Sequence, residues 1–303
     1  MSERKTVLLA LTANAVVAAV KGIAGALTGS AAMLAEAAHS VADTTNQAFL
    51  LTSLALGEKP ADPEHPFGHG KERFFWAFLA AVLIFLAGAV FSIGQGVLEL
   101  ARSAREGSYS VAYATLAFAF VAEGTSLIRA VRQTQREGRE RALSFWEYTR
   151  VTTEPAAKTV LYEDTVAVLG VIVAAVGIGL HQLTGSIAWD AAAAIAVGCM
   201  LVYVAVTLGR NFKALLIGIG ARPEERERLR EVLRTHDEID DVLDLRTMYV
   251  GPRSLLVAAR LDLKEGIDSE RVEELATELD HELRDAVDDV SDVFLDPTSR
   301  ESH

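Results

Sequence analysis

The sequence lacks cysteine pairs, a basic surface and common catalytic motifs, and each absence argues against one class of protein. It holds one cysteine, Cys199, inside an apolar run, so an internal disulfide is excluded and a small buried hydrophobic role is expected. A basic surface is absent, which argues against a nucleic-acid partner. The chain has no HExxH pair and no Ser/His or Asp/Asp arrangement that offers a convincing nucleophile or base. These absences favour a protein that is not an enzyme.

Charged and apolar residues are segregated along the chain. Residues 1–221 hold 17 Lys+Arg and 17 Asp+Glu, whereas residues 222–303 hold 12 and 24. The whole formal charge of −12 therefore belongs to the last part of the chain, which indicates a domain boundary. We expect a membrane domain at residues 1–213, a linker at 214–221 and a soluble cytoplasmic domain at 222–303.

The first part of the chain predicts an all-α membrane domain of six helices. A spanning helix needs about 20 mostly apolar residues. Six segments meet this requirement, although a strict hydropathy limit would shorten the second and fifth. They run from about Thr6 to Leu27, Ala31 to Leu56, Phe74 to Leu100, about Tyr109 to Arg129, Thr159 to Leu180 and Ile187 to Leu208.

The basic residues of the loops give these spans an orientation. With both termini in the cytoplasm, that side receives Arg4, Lys5 and a basic connector at 132–158, whereas the opposite side receives only Arg102 and Arg105. The positive-inside rule supports this placement. A bias of 22 Arg against 7 Lys is typical of a GC-rich prokaryotic source, so we expect the inner cell membrane.

The acidic tail predicts a small α+β domain. Glu224–His236 and Ser269–Ala286 have the pattern of amphipathic helices, and Asp244–Val250, Ser254–Leu263 and Val290–Leu295 have that of strands. The resulting order αββαβ is typical of a two-layer domain of ferredoxin-like type.

Ionisable residues inside the predicted spans are candidates for function, because they are costly in a bilayer. The second span carries His39 and Asp43, which are four residues apart and share one helical face. The fifth span adds Glu163 and Asp164 near its cytoplasmic end. One imidazole and up to three carboxylates can form a four-coordinate site for a transition-metal ion such as zinc.

Structural pairing with a buried cation is the alternative interpretation. Lys21 is the one Lys or Arg well inside a predicted span, and a single lysine can form an ion pair with only one of the carboxylates. Glu36 shares the face of His39 and fits a metal ligand, a neighbour of one, or a helix-packing hydrogen bond equally well. Glu123 in the fourth span and Asn14 in the first fit helix cross-links better than ligands.

The loop after the second span contains a second group of ligand-type residues. Asp62 precedes His65 by three residues, and His69 follows four residues later. These spacings fit a peripheral metal site, and an ordinary solvated loop explains them about equally well.

Two segments taken together resemble the cation diffusion facilitator family. They are Glu36-Ala37-Ala38-His39-Ser40-Val41-Ala42-Asp43 with Asn46-Gln47, and the loop His65-Pro66-Phe67-Gly68-His69-Gly70-Lys71-Glu72. The resemblance covers nearly the whole chain, including six spans and an αββαβ tail. It implies efflux of divalent metal from the cytoplasm in exchange for protons, by a homodimer whose tails pair. It also implies a transport site at His39, Asp43, Glu163 and Asp164, and a variable loop site at Asp62, His65 and His69.

The chain departs from the family pattern in two places. Zinc-transporting members often have His or Asp four residues before the fifth-span Asp, where this chain has Val160. Its Glu163-Asp164 pair resembles a subgroup with Glu-Asp in that helix, and adjacent helical residues point about 100° apart. In the tail, Arg260 and Phe294 stand where the family can hold metal-binding histidines, so His236, His281 and Asp296 are interpreted as surface residues.

Zinc is the first candidate for the transported ion. A site of one His and several carboxylates also accepts Mn²⁺, Fe²⁺ or Co²⁺, and Glu163 makes the site harder. No prosthetic group is expected. Two other classes remain open at this point: an intramembrane hydrolase with a metal-activated water, and a membrane-bound metal sensor that uses its tail for partner binding.

Overall fold

The computed structural model describes residues 31–100 and 109–298, together with Thr12, Ala15, Val16, Ala19 and Ile23. The first predicted span lies mostly outside these residues. The described helices and strands, in chain order, are α1 (Ala31–Gly57), α2 (Glu72–Leu100), α3 (Tyr109–Glu140), α4 (Phe145–Val151), α5 (Pro155–Thr184), α6 (Ala188–Ile217), α7 (Pro223–Thr235), β1 (Ile239–Gly251), β2 (Ser254–Leu263), α8 (Ser269–Ala286) and β3 (Val290–Pro297).

Long helices coincide with five of the six predicted spans. Among the described residues, three segments are long and apolar enough to cross a bilayer, namely Lys71–Leu98, Pro155–Thr184 and Ala188–Ile217. Helices α1 and α3 coincide with the second and fourth predicted spans. The chain is therefore a membrane protein with at least three apolar helices, and the full number of six spans stays a prediction.

The helices extend beyond the apolar segments where local chemistry supports them. The predicted connector after Arg129 is largely helical, because α3 continues to Glu140 and the short helix α4 follows. In this polar part Arg136 Nε donates to Glu140 Oε1 at 3.0 Å, an (i, i+4) pair that stabilises a solvated helix. Helix α5 begins at Pro155, where a proline needs no N–H partner, and it ends at Gly185 with φ +72°.

Small residues allow α5 and α6 to pack closely. A Cβ atom added at Gly177 in α5 would lie 2.5 Å from the Cβ of Ala193 in α6. Gly198 brings α6 equally close to α2, since an added Cβ would lie 2.5 Å from Cγ1 of Ile93 and 3.1 Å from the carbonyl oxygen of Ala89. Side chains larger than hydrogen are excluded at both positions unless the helices separate.

The tail forms a three-stranded sheet in the order β1-β2-β3. Strands β1 and β2 are antiparallel, and β2 and β3 are parallel. Alternate β2 residues such as Leu255, Val257 and Leu261 enter a core with Leu229 and Leu233 of α7 and the leucines of α8. The predicted order of elements, αββαβ, is observed. The comparison with ferredoxin-like domains stays a prediction.

The chain divides into two compact units. One contains Trp76–Phe212 with the chain up to Leu54, and the other contains Ala55–Phe75 with the chain from Lys213 onward. The polar loop after the second predicted span therefore belongs to the same unit as the acidic tail. Helix α6 ends at Ile217, so it continues into the segment predicted as a linker. The predicted domain bounds, drawn from charge, included this loop in the membrane domain at residues 1–213, and these bounds stay a prediction.

Candidate functional site

The loop between α1 and α2 brings three ligand-type side chains together. One ligand atom from each of Asp62, His65 and His69 lies within 4.8 Å of the others. Asp62 Oδ2 is 2.9 Å from Nε2 of His69, and Asp62 Oδ1 is 3.2 Å from Nδ1 of His65. The two imidazole rings lie 4.1 Å apart between their centroids. In the described part of the chain this is the one such group of three or more His, Cys, Asp or Glu residues.

Asp62 organises this cluster through its backbone neighbours. Its Oδ1 accepts hydrogen bonds from the N–H groups of Glu64 at 3.0 Å and His65 at 2.7 Å. The hydrogen bond from His69, followed by that from the His65 N–H, holds the pKa of the Asp62 carboxyl well below its usual range. Asp62 is therefore ionised at physiological pH, as a metal ligand must be.

The same loop packs against the sheet of the tail. A Cβ atom added at Gly70 would lie 2.8 Å from both Gly251 Cα and the Val250 carbonyl oxygen, so the two backbones touch at the β1–β2 turn. Phe67 meets Phe294 of β3 edge to face, with 6.0 Å between ring centroids. A cavity of about 330 Å³ lies beside the histidines, and its walls include Phe75, Leu216 and Met248.

The described structure places the predicted ligands of the second span only by their backbone. Glu36, His39 and Asp43 lie in α1, and their side chains are outside the described residues. Asn46 follows Asp43 by three residues on the same helical face. Its Nδ2 donates a hydrogen bond of 3.1 Å to Oε2 of Glu163 in α5. This contact joins the face of α1 that carries His39 and Asp43 to the fifth-span carboxylate.

Glu163 and Asp164 face different helices. Asp164 is only 7% exposed and accepts a 2.8 Å hydrogen bond from Oγ of Ser126 in α3. Glu163 is half-buried and meets Asn46 in α1. Sequence reasoning missed Ser126, because nothing in its surroundings marks a lone serine as the partner of a carboxylate. Whether all four predicted ligands share one ion stays a prediction.

Three of the tail residues discussed above, His236, Arg260 and Asp296, pair with charged neighbours. His236 Nε2 lies 2.9 Å from Glu282 Oε2, and Arg260 Nε donates to Asp296 Oδ2 at 2.9 Å. The pKa of the Asp296 carboxyl is lowered by two hydrogen bonds, of which the one from Thr298 has the larger effect and the one from Arg260 the smaller. A guanidinium group thus neutralises a carboxylate on neighbouring strands of the sheet.

Residues 7–217 match the family model of the cation efflux transmembrane domain. This match covers more than two thirds of the chain. The chain belongs to the cation diffusion facilitator family. The resemblance of its second span and loop is thereby confirmed, and the family consists of transporters rather than enzymes.

Curated relatives within this family carry names that refer to metals. The human mitochondrial proton-coupled zinc antiporter SLC30A9 is 33% identical over 258 residues, which are 85% of this chain and 45% of the human one. Metal tolerance protein C4 of Arabidopsis thaliana is 30% identical over 259 residues, or 86% and 57% of the two chains. The chain therefore spans about half the length of these relatives.

A relative of similar length comes from a bacterium. The manganese efflux system protein MneP of Bacillus subtilis is 24% identical over 298 residues, which are 96% of this chain and 94% of that protein. The relatives' names thus refer to two different metals. Family membership alone does not decide between zinc and manganese for this chain.

The loop cluster gives a direct test by metal titration. Asp62→Asn keeps the shape of the side chain but removes its charge. Because a neutral amide binds Zn²⁺ more weakly than a carboxylate does, we expect the affinity of the loop for Zn²⁺ to fall by about tenfold or more. A tenfold loss corresponds to about 1.4 kcal/mol of binding free energy. Calorimetric titration of the full chain measures this, with Glu64→Gln as the control because Glu64 meets Asp62 through its backbone N–H. Equal titration curves for both variants would contradict a loop site.

Proposed function

We propose that this protein exports divalent transition-metal ions from the cytoplasm in exchange for protons, with zinc the first candidate. The observation that carries the proposal is the pair Glu163 and Asp164 inside α5, an apolar helix long enough to span the bilayer. Carboxylates in such a helix are costly and indicate an ion pathway. Membership in the cation diffusion facilitator family supports the same activity.

The proposed transport site consists of His39, Asp43, Glu163 and Asp164. The contact between Asn46 and Glu163 supports it, because it brings a fifth-span carboxylate to the face of α1 that carries the other two residues. Metal binding needs a neutral imidazole and ionised carboxylates, so protons and metal compete for the site. When the site alternates between the two sides of the membrane, this competition couples inward proton movement to outward metal movement.

Manganese, iron(II) or cobalt is the alternative ion for the same mechanism. The human relative is named a zinc antiporter, which supports zinc, and the Bacillus relative is named a manganese efflux protein, which supports manganese. The chain has Val160 where zinc-transporting members often have His or Asp, and Glu163 supplies carboxylate oxygen instead. Manganese tolerates such an oxygen-rich site better than zinc does. Asp62, His65 and His69 form a second, peripheral site in this proposal, with borderline ligands that suit zinc.

The proposed arrangement in the membrane follows from the loop charges. It has six spans in the inner cell membrane, both termini in the cytoplasm and a homodimer formed through a ferredoxin-like tail. The lipid bilayer is the surrounding partner of the apolar helices. The tail carries 24 acidic residues against 12 basic ones, so its pairing needs local neutralisation of the kind that Arg260 gives to Asp296.

A flux screen tests the proposed function. The purified full chain is reconstituted in vesicles with an inward or outward proton gradient, and uptake of Zn²⁺, Mn²⁺, Fe²⁺ and Co²⁺ is measured with the pH of the lumen. We expect metal movement that is coupled to opposite proton movement, and we expect Glu163→His to shift the preference towards Zn²⁺ because imidazole is the softer ligand. Metal binding without flux would indicate a sensor instead, and peptide cleavage a hydrolase.

A further inference from the structure

The two adjacent carboxylates of α5 are separated by the helices that hold them. Asn46 of α1 donates to Glu163, and Ser126 of α3 donates to Asp164. Consecutive residues of a helix point about 100° apart. In an undistorted α5, Glu163 and Asp164 therefore cannot both point at the same neighbouring helix. The hydrogen bonds therefore assign Glu163 to the α1 side and Asp164 to the α3 side.

The register of α1 connects Asn46 with the residues proposed to bind metal. Asn46 lies three residues after Asp43 and seven after His39, so the three positions follow one another along a single face of the helix. Glu163 reaches this face at its Asn46 end. A metal ion held by His39 and Asp43 would lie about one helical turn from that contact.

A neutral amide suits this position chemically. A lysine or arginine beside Glu163 would compete with the metal ion for its carboxylate, whereas an amide N–H fixes the orientation of the carboxylate and leaves its charge unchanged. The amide also has a carbonyl oxygen, a ligand type that favours Mn²⁺ over softer ions. The side chain can offer this oxygen after a rotation about χ2.

We infer that Asn46 is the positioning residue for Glu163 and determines the metal preference of the transport site. This inference rests on the proposed function and adds a residue to it. Glu163, held by Asn46, supplies the fifth-span ligand at the α1 face, and Ser126 holds the other proposed ligand of this helix, Asp164, from the α3 side. The preference for an ion then depends on the pair Asn46 and Glu163 rather than on Glu163 alone.

Removal of the amide is the first test. In vesicles containing the full-length protein, Asn46→Ala is expected to raise KM for the transported metal about tenfold, the usual effect of losing a hydrogen bond to a charged group, with the maximal rate kept within about twofold. Ser92→Ala is the matched control, because it removes a part-buried hydrogen bond, from Ser92 Oγ to the Ala194 carbonyl oxygen at 2.8 Å, that involves no proposed ligand. Its KM is expected to stay within about twofold of wild type. An equal rise in KM for both variants would overturn the inference.

An exchange of the two groups is the second test. Glu163→Gln alone is expected to weaken metal binding by about a hundredfold. The double variant Asn46→Asp/Glu163→Gln exchanges the two groups, so that the amide at position 163 donates and the carboxylate at position 46 accepts. The contact then has one carboxylate again, and metal binding is expected to recover to within about tenfold of wild type. A double variant as weak as Glu163→Gln would show that the contact is not part of the site.

The metal preference gives a readout that a purely structural role would not change. Asn46→His is expected to raise the ratio of Zn²⁺ to Mn²⁺ transport at least about tenfold, because it replaces an oxygen-bearing side chain with an imidazole. An unchanged ratio, or a loss of transport of both ions that follows a lower unfolding temperature, would contradict a role in specificity. A wild-type protein that moves no divalent metal would instead refute the proposed function, whatever the Asn46 variants do in binding titrations.

Discussion

His39→Ala is expected to reduce proton-coupled metal transport by about a hundredfold or more. Even residues that only orient a metal ligand cost 10–100-fold in affinity, and His39 is proposed as a ligand itself. It is also the residue of the proposed site whose proton exchanges near neutral pH, so its loss removes the competition between metal and protons. Metal uptake and luminal pH, recorded together in vesicles, measure both effects.

Histidine 181 provides a matched control for this variant. His181 lies in α5 and is only 8% exposed, and its Nδ1 pairs with Asp190 of α6. We expect His181→Ala to keep metal-coupled proton movement, although it leaves Asp190 without this partner. Transport that survives in the His39 variant would refute the site assignment, and transport lost equally in both variants would indicate a general loss of fold.

Gly70→Ala is expected to separate the loop from the sheet of the tail. The added methyl group would lie 2.8 Å from backbone atoms of Val250 and Gly251, which cannot rotate away as a side chain can. Overpacking of this kind costs about 1–3 kcal/mol. Because Gly70 follows His69 directly, the same displacement should weaken the Asp62, His65 and His69 cluster. Hydrogen exchange of the loop amides and titration with Zn²⁺ measure the two consequences.

The control for Gly70→Ala is the same substitution where space is available. Gly94 lies in α2, and in the described part of the chain an added Cβ there meets no atom within 4 Å outside its own stretch of helix. Gly94→Ala should leave loop exchange and metal titration unchanged, and alanine is the better helix former. Loop exchange at the wild-type rate in Gly70→Ala would show that the contact with Gly251 does not hold the loop.

Both ends of an element could be predicted to the residue from the sequence where its own residues contain the amphipathic pattern and the capping residue. The second tail helix, Ser269–Ala286, combines an amphipathic pattern with an N-terminal cap, since Asp268 Oδ1 accepts from the Arg271 N–H at 2.8 Å. The bounds of α3 could not be predicted in this way. Hydropathy ends near Arg129, whereas the helix is continued by pairs such as Gln133 with Glu137, which carry no apolar signal.

The candidate site was predictable in its residue types but not in its partners. The spacing of His39, Asp43 and Asn46 along one helix is a local property that the sequence displays. The partners of Glu163 and Asp164 depend on how α5 is rotated against α1 and α3, and that rotation is determined by packing over the whole helix length. The sequence predicts that β1 begins at Asp244, whereas it begins at Ile239. Residues before Asp244 join the strand because they pair with β2, as Ile239 does with Leu263 across register shifts, and such pairing is not visible in the sequence.

The hydrogen bonds of Asp62 have a consequence for the speed of metal exchange. They connect one carboxylate to both imidazole rings and to two backbone N–H groups of the same loop. An arriving ion would therefore meet an ordered set of ligands and would not need to fold the loop first. Association would be limited by encounter and loss of water, so changes of affinity at this loop should appear mainly in the dissociation rate.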